Sequence, residues 1–272
     1  MAKSTLTMTP GAIGEQLLDL LFPPRCQVCG GFSADPLCDE CRETVELMDE
    51  RVCPSCGVIM PDTSPENLPG AVCPQCRAGR WLSGVRSAGL HTGTLRRAII
   101  RYKFGGRRQL VATFAAMLAD LVHAEIEAAD GPGLPLDLCE ALVPVPLHPR
   151  RRHWRGFDQA ELLCAELARE LDMPVWPDGL ERVRHTLPQT DCTGPERRRN
   201  VRGAFVAPRS WRMEGRSFIL VDDVFTTGAT LDECAVVLKR AGAAAVYGLT
   251  VSRASPAWSC ALPADDGAPA EA

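Results

Sequence analysis

Lysine is almost missing from this chain: among 30 cationic residues only Lys3, Lys103 and Lys239 are lysines. Arginine carries nearly all the positive charge, and its planar fork suits phosphate oxygens, although coding-base composition can produce the same bias. The formal net charge is -4, which excludes a protein that coats nucleic acid by bulk charge. No stretch approaches the roughly 20 apolar residues that cross a bilayer, so no membrane insertion is expected. The run AIGEQLLDLLF contains Glu15 and Asp19, which is wrong for the core of an export signal. The expected compartment is therefore the reducing cytoplasm. There the 13 cysteines are expected as metal ligands, buried thiols or reactive thiols rather than disulfides.

The 272 residues suffice for one sizeable core and a small accessory module. Residues 1–24 read as a short amphipathic helix, with Ile13, Leu17, Leu18 and Leu21 on one side and Pro23-Pro24 ending it. Four CxxC pairs follow: Cys26/Cys29, Cys38/Cys41, Cys53/Cys56 and Cys73/Cys76. A CxxC turn aims two thiolates at one ion, and two turns complete a tetrahedral set. Redox CxxC motifs need a strand–CxxC–helix context that is missing here. Two structural zinc ions are expected in a module over residues 25–85, with four thiolates leaving no open coordination position. Sequential pairing is the simpler arrangement, and crossed pairing stays open because the first spacer is tight. Large apolar residues are scarce in this module, so metal is expected to supply its folding energy. Cys164 and Cys234 fall in apolar helical patterns and read as small buried residues, while Cys192 lies in a polar stretch.

The texture changes near Ser87. LVATFAAMLADLVHAEIEAA, DQAELLCAELARELD and TLDECAVVLKRAGA have helical periodicity, while CEALVPVPL, FILVDDV and AVYGLTVSRA read as strands. Alternating strands and helices predict an α/β domain over residues 86–258, a mostly parallel sheet with helices on both faces. Residues 259–272, rich in Ala, Pro and Asp, read as a disordered tail. In such sheets ligands bind beyond the carboxyl ends of the strands. FILVDDVFTTGAT, residues 218–230, ends there: Asp222 and Asp223 should emerge at the end of the strand, and Thr230 should open the next helix. The turn between them offers backbone N–H groups, the hydroxyls of Thr226, Thr227 and Thr230, and Gly228 for close approach. Such a turn cradles a phosphate. The adjacent carboxylates need donors instead, namely sugar hydroxyls or a metal that the ligand brings. A sugar phosphate with magnesium satisfies both halves; a strand-end Asp pair that merely caps a loop is the alternative.

VDDVFTTGAT resembles the phosphoribosyl-pyrophosphate (PRPP) signature of type I phosphoribosyltransferases. The resemblance implies that Asp222 and Asp223 hold the ribose hydroxyls as the catalytic pair. It also implies a PRPP site built from Val221, Asp222, Asp223, Thr226, Thr227, Gly228, Ala229 and Thr230. Phe225 departs from the aliphatic residue usual at its position. YKFGGRR (102–108), PVPLHPRRRHWRGFDQA (144–160) and RHTLPQTDCTGPERRRNVRGAF (184–205) narrow the resemblance to the ComF family. That family joins CxxC zinc motifs to a phosphoribosyltransferase-like domain and includes proteins of natural DNA uptake. The likeness runs from about Leu17 to about Ser252. Asp158 stands where Asn is usual and Cys192 where Leu is usual.

Three basic segments remain. Arg96, Arg97, Arg101, Lys103, Arg107 and Arg108 lie in an acid-free stretch. So do Arg150, Arg151, Arg152 and Arg155, with His148, His153 and Trp154. Arg182, Arg184, Arg197, Arg198, Arg199 and Arg202 form the third. One reading is a diphosphate clamp, with Pro146, Leu147 and His148 in the pyrophosphate loop and residues 184–202 as a lid. The other is a path for single-stranded DNA, with Trp154 or Phe157 stacking on bases. Arg150, Arg155, Arg184, Gln189, Arg197 and Asn200 are the candidate lid or nucleic-acid contacts. Tyr102 and Phe104 read as core or site-wall residues. The leading expectation is a magnesium-dependent, PRPP-binding ComF-type protein that handles incoming DNA, with a DNA-uptake helicase or processing protein as candidate partner. The alternatives are a metabolic phosphoribosyltransferase for a nucleobase or amine, and a non-enzymatic PRPP sensor that docks a partner through its zinc ribbons.

Overall fold

A computed structural model of the chain describes residues 22–48, 52–60, 72–77, 79–128, 133–186, 194–208 and 213–254. The expected N-terminal helix, the C-terminal tail, Gln189 and Cys192 lie outside the described residues, apart from the three residues 22–24.

Four parallel strands form the central sheet in the order β1-β6-β5-β2: β1 Gly84–Leu90, β2 Ala141–Pro144, β5 Ser217–Phe225 and β6 Ala245–Arg253. The register pairs Ala141 with Phe218, Val221 with Leu249, and Gly84 with Tyr247. A short antiparallel pair, β3 Glu181–Arg182 and β4 Phe205–Val206, stands apart from it. Helices are α1 Asp39–Glu43, α2 Gly93–Phe104, α3 Leu110–Glu127, α4 Pro149–Arg155, α5 Gln159–Leu171, α6 Gly194–Val201 and α7 Ala229–Arg240.

Strands covered on two sides read as continuous apolar runs, and FILV does. Its alternate residues serve two cores. Ile219 and Val221 join Leu249 and Val251 under α3 and α5, with Phe114, Leu118, Leu163 and Cys164. Phe218 and Leu220 join Val246 under α7, with Leu231, Cys234, Ala235 and Leu238. The expected helix-covered parallel sheet is therefore present, and Cys164 and Cys234 are fully buried within it.

The cysteine module is divided between these cores. Cys26, Cys38 and Cys41 pack with Val28 and Leu37 into the α3/α5 side, and Cys53, Cys56, Cys73 and Cys76 into the α7 side. Each set is sequential: the sulfurs of Cys26, Cys29, Cys38 and Cys41 lie within 4.8 Å of one another, as do those of Cys53, Cys56, Cys73 and Cys76. The crossed pairing is thus excluded.

Candidate functional site

The carboxyl ends of β1, β2 and β5 open onto a cavity of about 650 Å³. β5 runs one residue past the FILVDDV read from the sequence, to Phe225, so Asp222 and Asp223 lie within its carboxyl end, and Asp222 pairs in register with Thr250. The two-core alternation slips at this point: Val221 belongs to the α3/α5 core and so does Val224, while Phe225 joins the α7 core. Both carboxylates line the same cavity. The backbone N–H of Asp223 donates to Asp222 Oδ1 at 2.8 Å.

Charge is unevenly satisfied around the pair. Asp223 is 3% exposed, and its Oδ1 accepts an ion pair from Lys103 Nζ at 2.7 Å. Its Oδ2 is buried without a hydrogen-bond partner among the described residues. Burial, then the neighbouring Asp223 charge, push the Asp222 carboxyl up to about 8. A buried carboxyl whose charge is disfavoured in this way meets hydroxyl donors readily and takes a cation only by releasing its proton.

The turn after β5 contains the expected groups. Thr226, Gly228, Ala229 and Thr230 line the cavity, and among the described residues no acceptor takes the N–H of Thr226, Thr227 or Gly228. α7 begins at Ala229 rather than Thr230, because Gly228 takes the left-handed conformation, φ 77°, and serves as N-cap. Thr227 faces elsewhere: its Oγ1 accepts from the Ala229 N–H at 3.4 Å. Val221 is buried in the core behind the site.

On the opposite wall, Pro146 and Leu147 leave β2 and line the cavity. Asp158 fixes this loop. Its Oδ2 accepts from Leu147 N at 2.8 Å, while Oδ1 accepts from Ala160 N at 3.0 Å and Glu161 N at 3.3 Å as the N-cap of α5. An Asn there could not accept through its amide nitrogen, so the carboxylate supports the loop and the helix together. His148 is the N-cap of α4 and does not line the cavity.

Arg155 and Arg197 line the cavity; Arg150 and Arg184 do not. Arg150 is exposed. Arg184 donates to the carbonyls of Asn200 at 2.9 Å and Arg202 at 2.6 Å, which ties it to the end of α6. The structure adds Arg151, Arg182, Lys103, His91 and Trp154. Arg151, Trp154 and Arg155 share one face of α4 at helical spacing, a signal readable in RRRHWR. Burial lowers the guanidinium pKa of Arg151, Arg155 and Arg182. These cations have lost water without gaining a full set of anions, and Arg155 Nε and Arg182 Nε lack partners among the described residues. Phe104 and Trp154, 61% and 72% exposed, stand 6.2 Å apart at the mouth.

Residues 17–77 match the model of the double zinc ribbon domain. The DNA utilization protein YhgH of Escherichia coli strain K12 is 34% identical over 235 residues, 84% of this chain and 96% of the relative. Competence protein F of Haemophilus influenzae is 42% identical over 108 residues, 39% of this chain and 47% of the relative. The chain belongs to the ComF family. Another ComF-family relative, competence protein ComFC of Bacillus subtilis, is 27% identical over 227 residues, 80% of this chain and 85% of the relative. Among solved structures, this ComF-family chain matches the glutamine PRPP amidotransferase of B. subtilis at 20% identity and TM-score 0.33, over 53% of this chain and 26% of that one. It also matches the Trypanosoma cruzi hypoxanthine phosphoribosyl transferase at 14% identity and TM-score 0.31, over 54% and 66%.

The donor sets of the ComF zinc-ribbon region fit zinc. Each is four sulfurs and no oxygen, and N–H groups point at them: Val28 N to Cys26 Sγ at 3.4 Å, Gly31 N to Cys29 Sγ at 3.4 Å, and Cys73 N to Cys53 Sγ at 3.3 Å.

Proposed function

We propose that this ComF-family protein binds PRPP with magnesium in the cavity and uses it while handling single-stranded DNA in the cytoplasm. One observation carries the reading: a single cavity joins a Thr–Gly turn at a helix start, a buried carboxylate pair whose Asp223 Oδ2 has no partner among the described residues, and three desolvated arginines. The 5-phosphate takes the Thr226–Thr230 turn, where N–H groups meet it without a cation. The ribose hydroxyls take Asp222 and Asp223, which would also meet the magnesium. That ion supplies charge neutralisation on the diphosphate. Pro146, Leu147 and Arg151, Arg155, Arg182 and Arg197 receive the diphosphate, and preorganised cations there stabilise charge as pyrophosphate leaves. In the transfer, the C1–oxygen bond to pyrophosphate breaks as a nucleophilic acceptor bonds to C1.

Lys103 holds the place of a cation against Asp223, so ligand entry exchanges one positive partner for another. Each four-cysteine cluster holds one structural zinc. The role in DNA handling is supported by the relatives' names, DNA utilization protein and competence protein, and by the exposed Trp154 and Phe104 beside Arg155. These rings and cations suit stacked bases and their phosphates. A DNA-uptake helicase or processing protein is the corresponding partner.

Phosphorus NMR of PRPP and magnesium with the zinc-loaded protein tests the reading. Broadening of the PRPP resonances by the protein, with pyrophosphate appearing when single-stranded DNA is added, is the result expected of a transferase acting on DNA. Broadening without pyrophosphate would make it a PRPP-binding DNA handler. Sharp, unshifted resonances would refute the PRPP site.

A further inference from the structure

The second four-cysteine cluster touches the phosphate turn through two arginines, the half-buried Arg80 and the buried Arg253. Arg80 Nε donates to Cys76 Sγ at 3.3 Å, while its Nη2 donates to the Thr227 carbonyl at 3.3 Å and its Nη1 pairs with Asp232 Oδ2 at 2.7 Å. One guanidinium thus holds a metal-ligating sulfur, the turn, and the first turn of α7. Arg253, the last residue of β6, donates to the Cys56 carbonyl and to Cys56 Sγ at 3.6 Å.

Between these arginines lies Phe225, the residue that departs from the aliphatic usual in the signature. The Arg253 guanidinium lies 4.5 Å from its ring centroid and that of Arg80 5.7 Å. An aliphatic side chain offers no ring face for them. Gly228 is part of the same fit: an added Cβ would come within 2.5 Å of both Arg80 Nη1 and Phe225 Cζ. The turn is pressed against the brace as closely as a backbone can be.

We infer that the Cys53–Cys56–Cys73–Cys76 cluster is a positioning element of the Thr226–Thr230 turn, acting through Arg80, Arg253 and Phe225. The inference rests on the sugar-phosphate reading only for its consequence in binding; the brace itself is a property of the apo protein. Metal at this cluster fixes Cys76 and Cys56, hence the two guanidiniums, hence the N–H groups that receive the phosphate. Arg80 and Arg253 touch no ligand and are positioning residues.

The test uses the full-length, zinc-loaded chain as wild type, Arg80→Gln and Arg80→Lys. Hydrogen exchange is followed in a peptide spanning 224–232, zinc is counted, and Mg–PRPP is titrated. Arg80→Gln is expected to retain two zinc ions per chain, to exchange faster in the turn but not in β6 or α3, and to bind PRPP about 10-fold more weakly. Arg80→Lys keeps the charge but not the fork, so it should behave as Arg80→Gln does. Should Arg80→Gln fail to fold, Arg80→Lys carries the same comparison. Unchanged exchange in the turn overturns the brace, whether or not PRPP binds. Faster exchange with unchanged PRPP affinity overturns the positioning role. A wild type that binds no PRPP refutes the sugar-phosphate reading and leaves the exchange result to judge the brace alone.

Discussion

Asp222 is a carboxyl placed where its charge is poorly tolerated. Burial comes first and the Asp223 charge second, and they raise its pKa to about 8. The folded chain therefore holds a proton that the unfolded chain, with a carboxyl pKa of about 4, has released. Wherever the native state binds the extra proton, stability falls as pH rises. This contribution is present in full below about pH 4, declines up to about pH 8, and is flat above. Asp222→Asn should flatten the decline in melting temperature between pH 5 and pH 8; parallel curves for variant and wild type would remove Asp222 as its source. A magnesium-bearing ligand has to displace the same proton. Between pH 7 and 9 PRPP binding should tighten with pH and release a proton, seen as a buffer-dependent enthalpy that vanishes in the Asn variant. The carboxylate pair was legible from VDDV because strand, charge and turn are contiguous. Lys103 as its partner was not, since that contact joins α2 to β5 across the fold.

Among the elements, the turn and the capped helix α5 have distinct weak points. Gly228→Ala imposes a left-handed conformation on an L-residue and collides with Arg80 and Phe225. We expect a loss of about 1–3 kcal/mol in denaturant unfolding, the size of a strained backbone position; a loss within error would mean the turn rearranges freely. Asp158→Ala removes an N-cap and releases Leu147 N, for about 1–2 kcal/mol. Asp158→Asn should recover the cap but not the loop contact, so a variant as loosely bound to PRPP as Asp158→Ala yet nearly as stable as wild type is expected. Helices α3, α5 and α7 were readable because each has a clear apolar stripe. The short pair β3 and β4 was not, being two residues long on each side with no periodicity to show. Of the arginines on α4, the sequence reading named Arg150 and Arg155, and the cavity is lined by Arg151 and Arg155: the spacing of a face is legible in RRRHWR, but packing decides which face turns inward. Arg184 is held by the carbonyls of Asn200 and Arg202, a contact between distant residues that the sequence does not announce.

The whole molecule is organised so that its cysteine clusters are not appendages. One is embedded in each core, on opposite faces of a single sheet. Chelation should therefore lower the melting temperature of the entire chain. A shift of at least about 10 °C is expected, because metal binding contributes several kcal/mol and each ~1 kcal/mol moves a chain of this size by about 2–4 °C. Cys26→Ser and Cys53→Ser should each leave one zinc per chain; loss of both ions from either variant would contradict two independent sites. Sequential pairing was the simpler reading of the spacing, but the union of each cluster with a different core is a long-range fact that spacing cannot carry. The arginine-rich surface also acts at this scale. If its cations meet DNA phosphates, affinity for single-stranded DNA should fall steeply as salt rises, with a slope set by the number of phosphates neutralised. An affinity indifferent to salt would leave those arginines without that role.

We propose above all that the carboxylate pair and the turn together hold PRPP. Calorimetric titration of PRPP with magnesium into zinc-loaded wild type and into the Asp222→Ala/Asp223→Ala double variant tests it most directly. Saturable binding by wild type that disappears in a folded, zinc-loaded double variant is the predicted result. Equal binding by the two proteins, or none by wild type, would contradict it.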